Sequence, residues 1–242
     1  KRLKFENMNL PSLNSINQAG GSLDSQLIKD FFEISCQKNF SFHIMYGQTE
    51  ASPRISYLPY KMLPKKVGSI GIAIPEGRLQ IVQHGELVKE AGKIGEIVYE
   101  GPNVMLGYAD QRLDLSNGND LNGVLHTGDL GYFDEDGYFF ITGRLKRMVK
   151  IFGQRINLDE VEVMLRNFLG KEVACLGEED ILFIIVESND EFLNSEVTKK
   201  IKNLYHIHHS AIKSFCIESL IYKSSGKKDY KALKMKVKNE AN

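Results

Sequence analysis

Apolar residues recur at helical spacing directly behind a glycine pair near the start of the chain. The pair is Gly20 and Gly21, and the pattern runs over residues 22–38. Its apolar members share one face of an α-helix: Leu23, Leu27, Ile28, Phe31 and Phe32. We therefore predict an amphipathic helix over residues 22–38, with its polar face towards solvent.

The pattern changes to short β-type runs between residues 67 and 108. Residues 79–82 and 96–99 are two such runs. Glycines separate the runs at fairly regular intervals: Gly68, Gly71, Gly77, Gly85, Gly92, Gly95, Gly101 and Gly107. Because glycine permits tight turns and close backbone approach, this pattern predicts a small β subdomain.

A β-hairpin is predicted further along the chain. Two apolar runs, residues 130–133 and 138–142, flank the sequence Asp-Glu-Asp-Gly at residues 134–137. Acidic residues and glycine suit a tight turn. The same four residues resemble the start of a calcium loop, but the distal glutamate of such a loop is absent, so we predict a plain turn.

The remaining sequence predicts a helix that begins after Asn157 and ends at Gly170. Asn157 can cap this helix, with Glu160 reaching back to it, and the glycine provides a left-handed stop. The apolar stripe of this helix consists of Leu158, Val161, Met164, Leu165 and Phe168.

A strand and a second helix follow. Residues 181–186 form a continuous apolar run, and residues 195–205 repeat with helical spacing. The inward positions of this second helix are Val197, Ile201, Leu204 and Tyr205. We predict a mixed α/β fold with two domains, residues 1–145 and residues 146–242, that meet near Lys146.

The composition excludes several classes of partner. Of 242 residues, 42% are apolar, which is enough to bury one sizeable core or two smaller ones. Lys and Arg number 31 and Asp and Glu also 31, so no net charge draws the chain to nucleic acid. No run reaches the roughly 20 apolar residues of a membrane span, and the first residues lack the apolar stretch of a secretory signal.

The cysteines indicate a reducing setting. Cys36, Cys175 and Cys216 lie far apart and form no C-x-x-C pair. This spacing argues against a disulfide framework and against a cysteine zinc site. We expect buried, unpaired thiols and a cytoplasmic protein.

The first cluster that can carry chemistry is Tyr46-Gly47-Gln48-Thr49-Glu50. An aromatic ring can stack on a purine, and a carboxylate can hold the Mg²⁺ that accompanies nucleotide phosphates. Taken alone, the same five residues favour a strand end followed by a turn.

The second cluster is His126-Thr127-Gly128-Asp129, with Arg144 on the far side of the predicted hairpin. An aspartate at the edge of a strand can accept hydrogen bonds from both hydroxyls of a ribose, and a guanidinium adds a planar donor. The alternative is an Asp–Arg pair that closes a loop.

Two basic segments complete the candidates. In residues 146–157, basic and apolar side chains alternate around Gly153, which favours a strand and loop that face an anionic substrate or, alternatively, an edge strand kept soluble by lysines. Ser224-Ser225-Gly226-Lys227 presents a lysine from a small-residue loop. The upstream glycine of a P-loop is missing, so composition alone makes Lys227 a solvated lysine.

Taken in order, these clusters resemble the superfamily of adenylate-forming enzymes, which includes acyl-CoA synthetases, peptide-synthetase adenylation domains and luciferases. Ala19-Gly20-Gly21 resembles the adenine-loop glycines of that family, YGQTE its aromatic-Gly-x-Thr-Glu segment, and GEIVYEGPNVMLGY its Gly-Glu-rich β segment. The stretch HTGDLGYFDEDGYFFITGRLKRMVKIFGQRINLDEVE is similar to the one that crosses into the family's small C-terminal domain. The likeness covers nearly the whole chain.

The resemblance implies a fold and a role for residues of the first part of the chain. The fold would be the end of the large nucleotide-binding domain, including its β subdomain, followed by a small mobile α+β domain. The implied nucleotide contacts are Gly20, Gly21, Tyr46 and Gly47 at adenine, Thr49 at the phosphate of the adenylate, and Asp129 with Arg144 at the ribose. Glu50 would ligate Mg²⁺.

The resemblance also assigns two lysines. Lys146 matches the hinge about which the small domain rotates, and Lys227 matches the catalytic lysine that bridges the substrate carboxylate and the α-phosphate of ATP. The sequence departs from the family here, because Tyr230 stands where an arginine is common and Lys228 is an alternative match to the catalytic lysine.

A further departure is the absence of the Ser/Thr/Gly-rich phosphate loop that ends in Pro-Lys-Gly. Family members carry this loop well upstream of the YGQTE-like segment, and this chain begins without Met. We therefore expect an upstream portion to be missing and expect the 242 residues to be inactive alone.

The implied activity is ATP-dependent activation of a carboxylic acid, with transfer of the acyl group to a thiol. The cofactors would be ATP and Mg²⁺, and the acceptor CoA or the phosphopantetheine of a carrier protein. Tyr57, Leu58 and Met62 favour an apolar acyl or aryl acid. The alternative is a truncated, non-catalytic homologue that binds a nucleotide or a protein partner.

Overall fold

A computed structural model describes residues 4–21, 23–178 and 180–240. The chain divides into two compact units, Lys1–Thr142 and Gly143–Asn242. The mixed α/β architecture predicted from the sequence is confirmed. Within the described residues, no helix is both long enough and apolar enough to cross a membrane.

The first unit is built on a sheet of nine strands in the order β1-β2-β3-β4-β9-β8-β7-β5-β6. Its elements in chain order are β1 (Ser15–Gln18), α1 (Ser25–Lys38), β2 (Ser41–Tyr46), β3 (Ser56–Leu58), β4 (Ser69–Ala73), β5 (Arg78–Gln83), β6 (Glu86–Leu87), β7 (Gly95–Glu100), β8 (Val124–Phe133) and β9 (Phe139–Arg144). The first two strands pair in parallel, with Gln18 opposite Ile44. Strands β4 to β7 lie within residues 67–108 and confirm the short strands predicted there.

Helix α1 begins later than its apolar pattern predicted. Asp24 is the N-cap, and its Oδ1 accepts hydrogen bonds from the backbone N–H groups of Gln26 at 2.9 Å and Leu27 at 3.0 Å. Ser22, the predicted first residue, lies outside the described residues. The helix buries Ile28 against a core formed by the strands beside it.

The predicted hairpin is confirmed between β8 and β9. The Asp134 N–H donates to the carbonyl of Tyr138 at 3.0 Å, and Gly137 has φ +80°, a conformation that glycine adopts without strain. Lys66 Nζ contacts the carboxylates of Asp134 at 2.6 Å and Asp136 at 2.5 Å. The acidic residues of the turn thus hold a lysine from the preceding part of the unit.

The second unit contains a three-stranded sheet in the order β12-β13-β14 and a two-stranded hairpin. Its elements are β10 (Met148–Ile151), β11 (Gln154–Asn157), α2 (Leu158–Leu169), β12 (Val173–Glu178), β13 (Ile181–Glu187), α3 (Leu193–Tyr205), β14 (Ile212–Ile217) and α4 (Tyr230–Glu240). Side chains of α2 and α3 pack on one face of the sheet, and Leu233 and Val237 of α4 pack on the other. Strand β13 is buried on both faces, which explains its continuous apolar run.

Helix α2 has the predicted ends. Asn157 Oδ1 accepts from the Asp159 N–H at 3.0 Å, Asn157 Nδ2 donates to Glu160 Oε1 at 3.1 Å, and Gly170 ends the helix with φ +64°. Leu158, Val161 and Leu165 are buried as predicted.

Two of the predicted inward positions were wrong. Phe168 in the last turn of α2 is 44% exposed, and Lys200 Nζ lies 4.7 Å from the centre of its ring. Leu204 in α3 is 52% exposed, because Tyr205 takes the inward position of the last turn. Helical spacing identifies a face, but the partner of that face decides how far along the helix the burial extends.

Candidate nucleotide site

Two of the predicted nucleotide segments lie at the same edge of the first unit's sheet. Gly20 and Gly21 follow the carboxyl end of β1, and Tyr46 and Gly47 stand at the carboxyl end of β2. Because β1 and β2 are parallel, their carboxyl ends meet at one edge, where open α/β sheets bind ligands. Gln18 Nε2 donates to the carbonyl of Gly21 at 2.6 Å and fixes the first of these loops.

Gly47 is required by a close backbone approach. A Cβ atom at this position would lie 1.6 Å from the carbonyl oxygen of Pro53. The chain folds back through a short 3₁₀ turn, Thr49–Ala51, and the Ile55 N–H then donates to the carbonyl of Tyr46 at 3.0 Å. This fold leaves the side chain of Thr49 exposed.

Asp129 is the centre of a hydrogen-bonded cluster in the first unit. Asp129 is almost completely buried, with only 2% of the residue exposed. Oδ2 accepts from the hydroxyl of Tyr46 at 2.6 Å and from Nε2 of Gln48 at 3.0 Å. Gln48 Nε2 also lies 2.9 Å from the carbonyl of Thr127. The structure therefore joins the YGQTE run directly to the HTGD run, whereas the resemblance implied only that both contact the same nucleotide.

The acidity of Tyr46 reflects this environment. Burial raises the pKa of the Tyr46 hydroxyl far above its ordinary value, and the adjacent negative charge of Asp129 raises it further. Tyr46 is therefore a hydrogen-bond donor at neutral pH, and its proton points towards Asp129.

An irregularity in strand β8 aims Asp129 at this cluster. Leu130 pairs with Glu96 and His126 with Val98, so three residues of β8 stand opposite the single residue Ile97 of β7. Gly128, within the insertion, has φ +71°, and its N–H donates to Glu96 Oε1 at 3.1 Å. Bulges of this kind bend a strand and redirect a side chain, and they are common beside functional sites.

Glu50 is positioned by the segment that ends in the predicted Gly-Tyr pair. The Tyr108 hydroxyl donates to Glu50 Oε1 at 3.0 Å, and the Met105 N–H donates to the Glu50 carbonyl at 2.9 Å. Mg²⁺ in nucleotide sites is commonly held by one or two carboxylates together with substrate phosphates. An accessible carboxylate with a fixed orientation fits that requirement.

The residues proposed for the acid pocket have a second explanation. Leu58 is fully buried and Met62 packs on the same hydrophobic core, which includes Phe42 and Leu63. Core packing alone accounts for these two positions. Tyr57 is half-buried at the middle of β3.

In the second unit, the predicted hinge and its neighbour differ in their surroundings. Lys146 is exposed in a short 3₁₀ turn, whereas Arg147 is largely buried. Arg147 Nε donates to Asp159 Oδ1 and one terminal nitrogen to the Cys175 carbonyl, each at 2.8 Å, while the other terminal nitrogen contacts Glu162. The prediction that the basic residues of 146–157 face an anionic substrate is therefore wrong for Arg147, whose charge is neutralised internally.

Tyr230 covers this buried arginine. The centre of its ring lies 4.0 Å from Arg147 Cζ, and its hydroxyl donates to Glu162 Oε2 at 3.0 Å. Burial, followed by the negative charge of Glu162, raises the pKa of Tyr230 well above its ordinary value. Sequence reasoning missed this network, although Asp159 and Glu162 are spaced three apart on α2 and so share a helix face.

Lys227 and Arg144, the last residue of β9, are both exposed. Lys227 stands at the end of a turn in which Gly226 has φ +77°. The Arg144 N–H donates to Asp159 Oδ2 at 3.1 Å. The ribose role of Arg144, the hinge role of Lys146 and the catalytic role of Lys227 remain predictions.

Comparison with known protein families gives a match over the first part of the chain. A model of the family described as AMP-binding enzyme matches residues 1–109. Probable 4-coumarate–CoA ligase 1 of Dictyostelium discoideum is 31% identical over 215 residues, which are 83% of this chain and 38% of that protein. 2-Succinylbenzoate–CoA ligase of Bacillus cereus is 34% identical over 171 residues, 70% of this chain and 34% of that protein.

Solved structures extend the likeness to nearly the whole chain. The o-succinylbenzoate CoA synthetase of Bacillus subtilis, in complex with ATP and magnesium ion, superimposes with a TM-score of 0.70 at 26% identity. The match covers 96% of this chain and 49% of that one. The same enzyme with its acyl-adenylate intermediate gives a TM-score of 0.70 at 25% identity. The chain thus spans less than half the length of the relatives that it matches.

Proposed function

Because the chain belongs to the AMP-binding, adenylate-forming enzymes, we propose that it carries the adenosine site and the small domain of an ATP-dependent acid–thiol ligase. The cluster of Tyr46, Gln48 and Asp129 at the carboxyl edge of β1 and β2 is the observation that carries this proposal. Such a cluster presents an aromatic ring and a fixed carboxylate side by side, as adenosine binding requires. Relatives that act as CoA ligases support the same class of reaction.

In this proposal each part of the cluster has one task. Tyr46 packs against adenine beside the glycine loops at Gly20, Gly21 and Gly47. Asp129 accepts hydrogen bonds from the ribose, and Tyr46 and Gln48 hold its carboxylate in place, so that little ordering is needed when the nucleotide binds. Thr49, exposed on its 3₁₀ turn, donates to the phosphate of the adenylate, and Arg144 adds a donor for the ribose.

Two residues act on the charge that develops during adenylation. The substrate carboxylate attacks the α-phosphorus of ATP, forming the acyl–phosphate bond and releasing pyrophosphate. Lys227, exposed at the end of its turn, offsets the negative charge that grows on the α-phosphate and orients the attacking carboxylate. Glu50 would hold Mg²⁺, which neutralises phosphate charge when bound.

A thiol then displaces AMP from the acyl-adenylate, giving a thioester. The family's domain rotation, with Lys146 as the hinge, would let one pocket serve both half-reactions. CoA is the acceptor that the relatives favour, and a carrier-protein pantetheine is the alternative. An apolar or aryl acid is the proposed substrate class. The expectation of buried thiols holds for Cys175, whereas Cys216 is half-buried and the expectation is wrong for Cys36, which is exposed. A reducing, cytoplasmic setting is part of the proposal.

Carboxylate-dependent exchange of pyrophosphate into ATP tests the proposal. The chain is assayed alone and together with a preceding portion that contains the phosphate loop, joined in one polypeptide, with a panel of fatty and aryl acids. We expect no exchange from the 242 residues alone, because they do not contain the phosphate loop whose backbone N–H groups would orient the triphosphate of ATP. We expect the combined protein to catalyse exchange.

The combined protein with Asp129→Ala is the comparison variant, and its affinity for ATP should be lower than that of the wild type. Strong exchange by the chain alone would show that the phosphate loop is dispensable. No exchange with any acid, together with retained AMP binding, would instead support a non-catalytic nucleotide-binding module.

A further inference from the structure

A closed turn over residues 223–227 presents Lys227 to solvent. The Lys223 N–H donates to the Lys227 carbonyl at 2.8 Å, and the Gly226 N–H to the Lys223 carbonyl at 2.9 Å. Tyr222 and Lys228 form an antiparallel bridge at the base of the turn. Ser224 at the tip and Lys227 at the end of the turn are both exposed.

The two adjacent lysines at this base have opposite surroundings. Lys227 is exposed, whereas Lys228 is half-buried and directs its ammonium inward. The side chain of Lys228 is 14% exposed, and its Nζ lies 2.5 Å from the Val173 carbonyl, 3.2 Å from Glu172 Oε2 and 3.3 Å from Glu162 Oε2. Lys228 is therefore bound within the second unit.

The carboxylate that receives Lys228 is fixed by other groups. Glu162 Oε1 accepts from the Cys175 N–H at 2.8 Å and contacts Arg147. Glu162 Oε2 accepts from the Tyr230 hydroxyl at 3.0 Å. Withdrawing Lys228 towards a substrate would leave a nearly buried anion with less compensation, which is costly. The geometry therefore opposes a direct catalytic role for Lys228.

We propose that Lys228 is a positioning residue for Lys227. Its ammonium anchors the base of the turn to the Val173 carbonyl, to the fixed carboxylate of Glu162 and to the partly exposed carboxylate of Glu172. This anchor holds Lys227, at the end of the turn, in one arrangement. Prior ordering of this kind reduces the conformational entropy lost when a flexible lysine meets its substrate. The inference rests on the proposed function of Lys227.

Residue-resolved amide exchange of the chain tests the anchor without any activity. The amides of Lys223 and Gly226 are protected by the bonds of the turn, so Lys228→Met should speed their exchange about tenfold, while amides of β13 exchange as in the wild type. Lys228→Arg should keep most of the protection, because it retains the cation. Lys231→Met, at an exposed lysine three residues further on, is the matched control and should change nothing.

Half-reactions of the combined protein test the catalytic consequence. In Lys228→Met, pyrophosphate exchange should slow about tenfold, whereas thioester formation from supplied acyl-adenylate should stay within about twofold, because only adenylation uses Lys227. Lys228→Arg should restore exchange. A purely structural role would lower both half-reactions together, and that result would overturn the inference.

A second variant keeps the test decisive if Lys228→Met does not fold. Glu172→Gln removes one partly exposed carboxylate of the anchor and should give the same pattern at smaller amplitude. Unchanged exchange of the turn amides in both variants would overturn the anchor. If the wild-type combined protein showed no pyrophosphate exchange, the proposed function would be wrong, and amide exchange alone would decide whether Lys228 anchors the turn.

Discussion

The hydroxyl of Tyr46 donates a 2.6 Å hydrogen bond to the nearly buried carboxylate of Asp129, 83 residues further along the chain. This bond joins the end of β2 to the irregular part of β8. It orients an aromatic ring and a carboxylate together, which is the arrangement that the proposed adenosine site uses. The stability of the first unit and the proposed affinity for nucleotides should therefore depend on the same hydroxyl.

Tyr46→Phe tests this dependence, because it removes the hydroxyl and keeps the ring. Leaving a buried acceptor without one of its donors costs roughly 1–3 kcal/mol, so the free energy of unfolding in urea should fall by about that amount. Affinity for AMP, measured by calorimetry, should fall as well, because Asp129 Oδ2 then loses the Tyr46 donor, although Gln48 Nε2 still donates to it.

Tyr132→Phe is the matched control. Tyr132 also lies on β8, and its ring stacks on Phe140 at 5.1 Å between centroids, so the substitution preserves its main contact. Both quantities should match the wild type. Equal stability of Tyr46→Phe and the wild type would show that the bond to Asp129 contributes nothing.

The pair of Lys66 and Asp134 should make the first unit sensitive to acid. Burial alone would raise the pKa of Asp134, but hydrogen bonds from Lys66 and from the Tyr138 backbone lower it below its ordinary value. A carboxyl with a lowered pKa stabilises the fold above its unfolded-state pKa and loses that contribution as the pH falls through the folded value. The melting temperature of the wild type should therefore drop below about pH 4.

Asp134→Asn should lower the melting temperature at neutral pH and flatten its acid dependence. Asp136→Asn is the comparison, because Asp136 contacts the same Lys66 but its side chain is 68% exposed, so solvent screens the interaction. Its effect should be clearly smaller. Identical acid profiles for the wild type and Asp134→Asn would exclude this pair as a source of the pH dependence.

The sequence predicted those features whose determinants are local. The cap at Asn157, the stop at Gly170 and the hairpin around residues 134–137 depend on residues a few positions apart, and the structure confirms all three. The order of the family-like segments likewise revealed the fold. For the cap, the stop and the hairpin, one short stretch of chain contains both the donor and the acceptor of the hydrogen bond that fixes the feature.

Features that depend on distant partners were missed. Glu162 binds Arg147, 15 residues earlier, and Lys228, 66 residues later, and no periodicity links those positions. The same limit applies to the joining of Tyr46 with Asp129. Phe168 and Leu204 show the complementary failure, since spacing places them on the apolar face without indicating where the neighbouring core ends.

Lys146→Pro in the combined protein tests the hinge. Proline fixes φ near −65° and removes a backbone donor, so one orientation of the small domain should be favoured at the expense of the other. Rates of pyrophosphate exchange and of thioester formation from supplied acyl-adenylate should then diverge, with one of them retained. Lys146→Ala, which leaves the backbone free, should preserve both, and a parallel loss in Lys146→Pro would argue against a hinge at this residue.

Lys227→Ala gives the sharpest test of the catalytic assignment. The exposed ammonium at the end of the turn is proposed to act only while the carboxylate attacks the α-phosphorus. Removing it should slow adenylation by about a hundredfold or more, as expected for loss of a group that stabilises transition-state charge, while thiol attack on supplied acyl-adenylate continues. Single-turnover measurement of both half-reactions checks the result. The matched control is Lys223→Ala, an exposed lysine at the other end of the same turn, which should leave both rates near those of the wild type. If Lys223→Ala and Lys227→Ala had equal effects, the lysine would contribute only general positive charge, and the assignment of Lys227 as the catalytic lysine would be wrong.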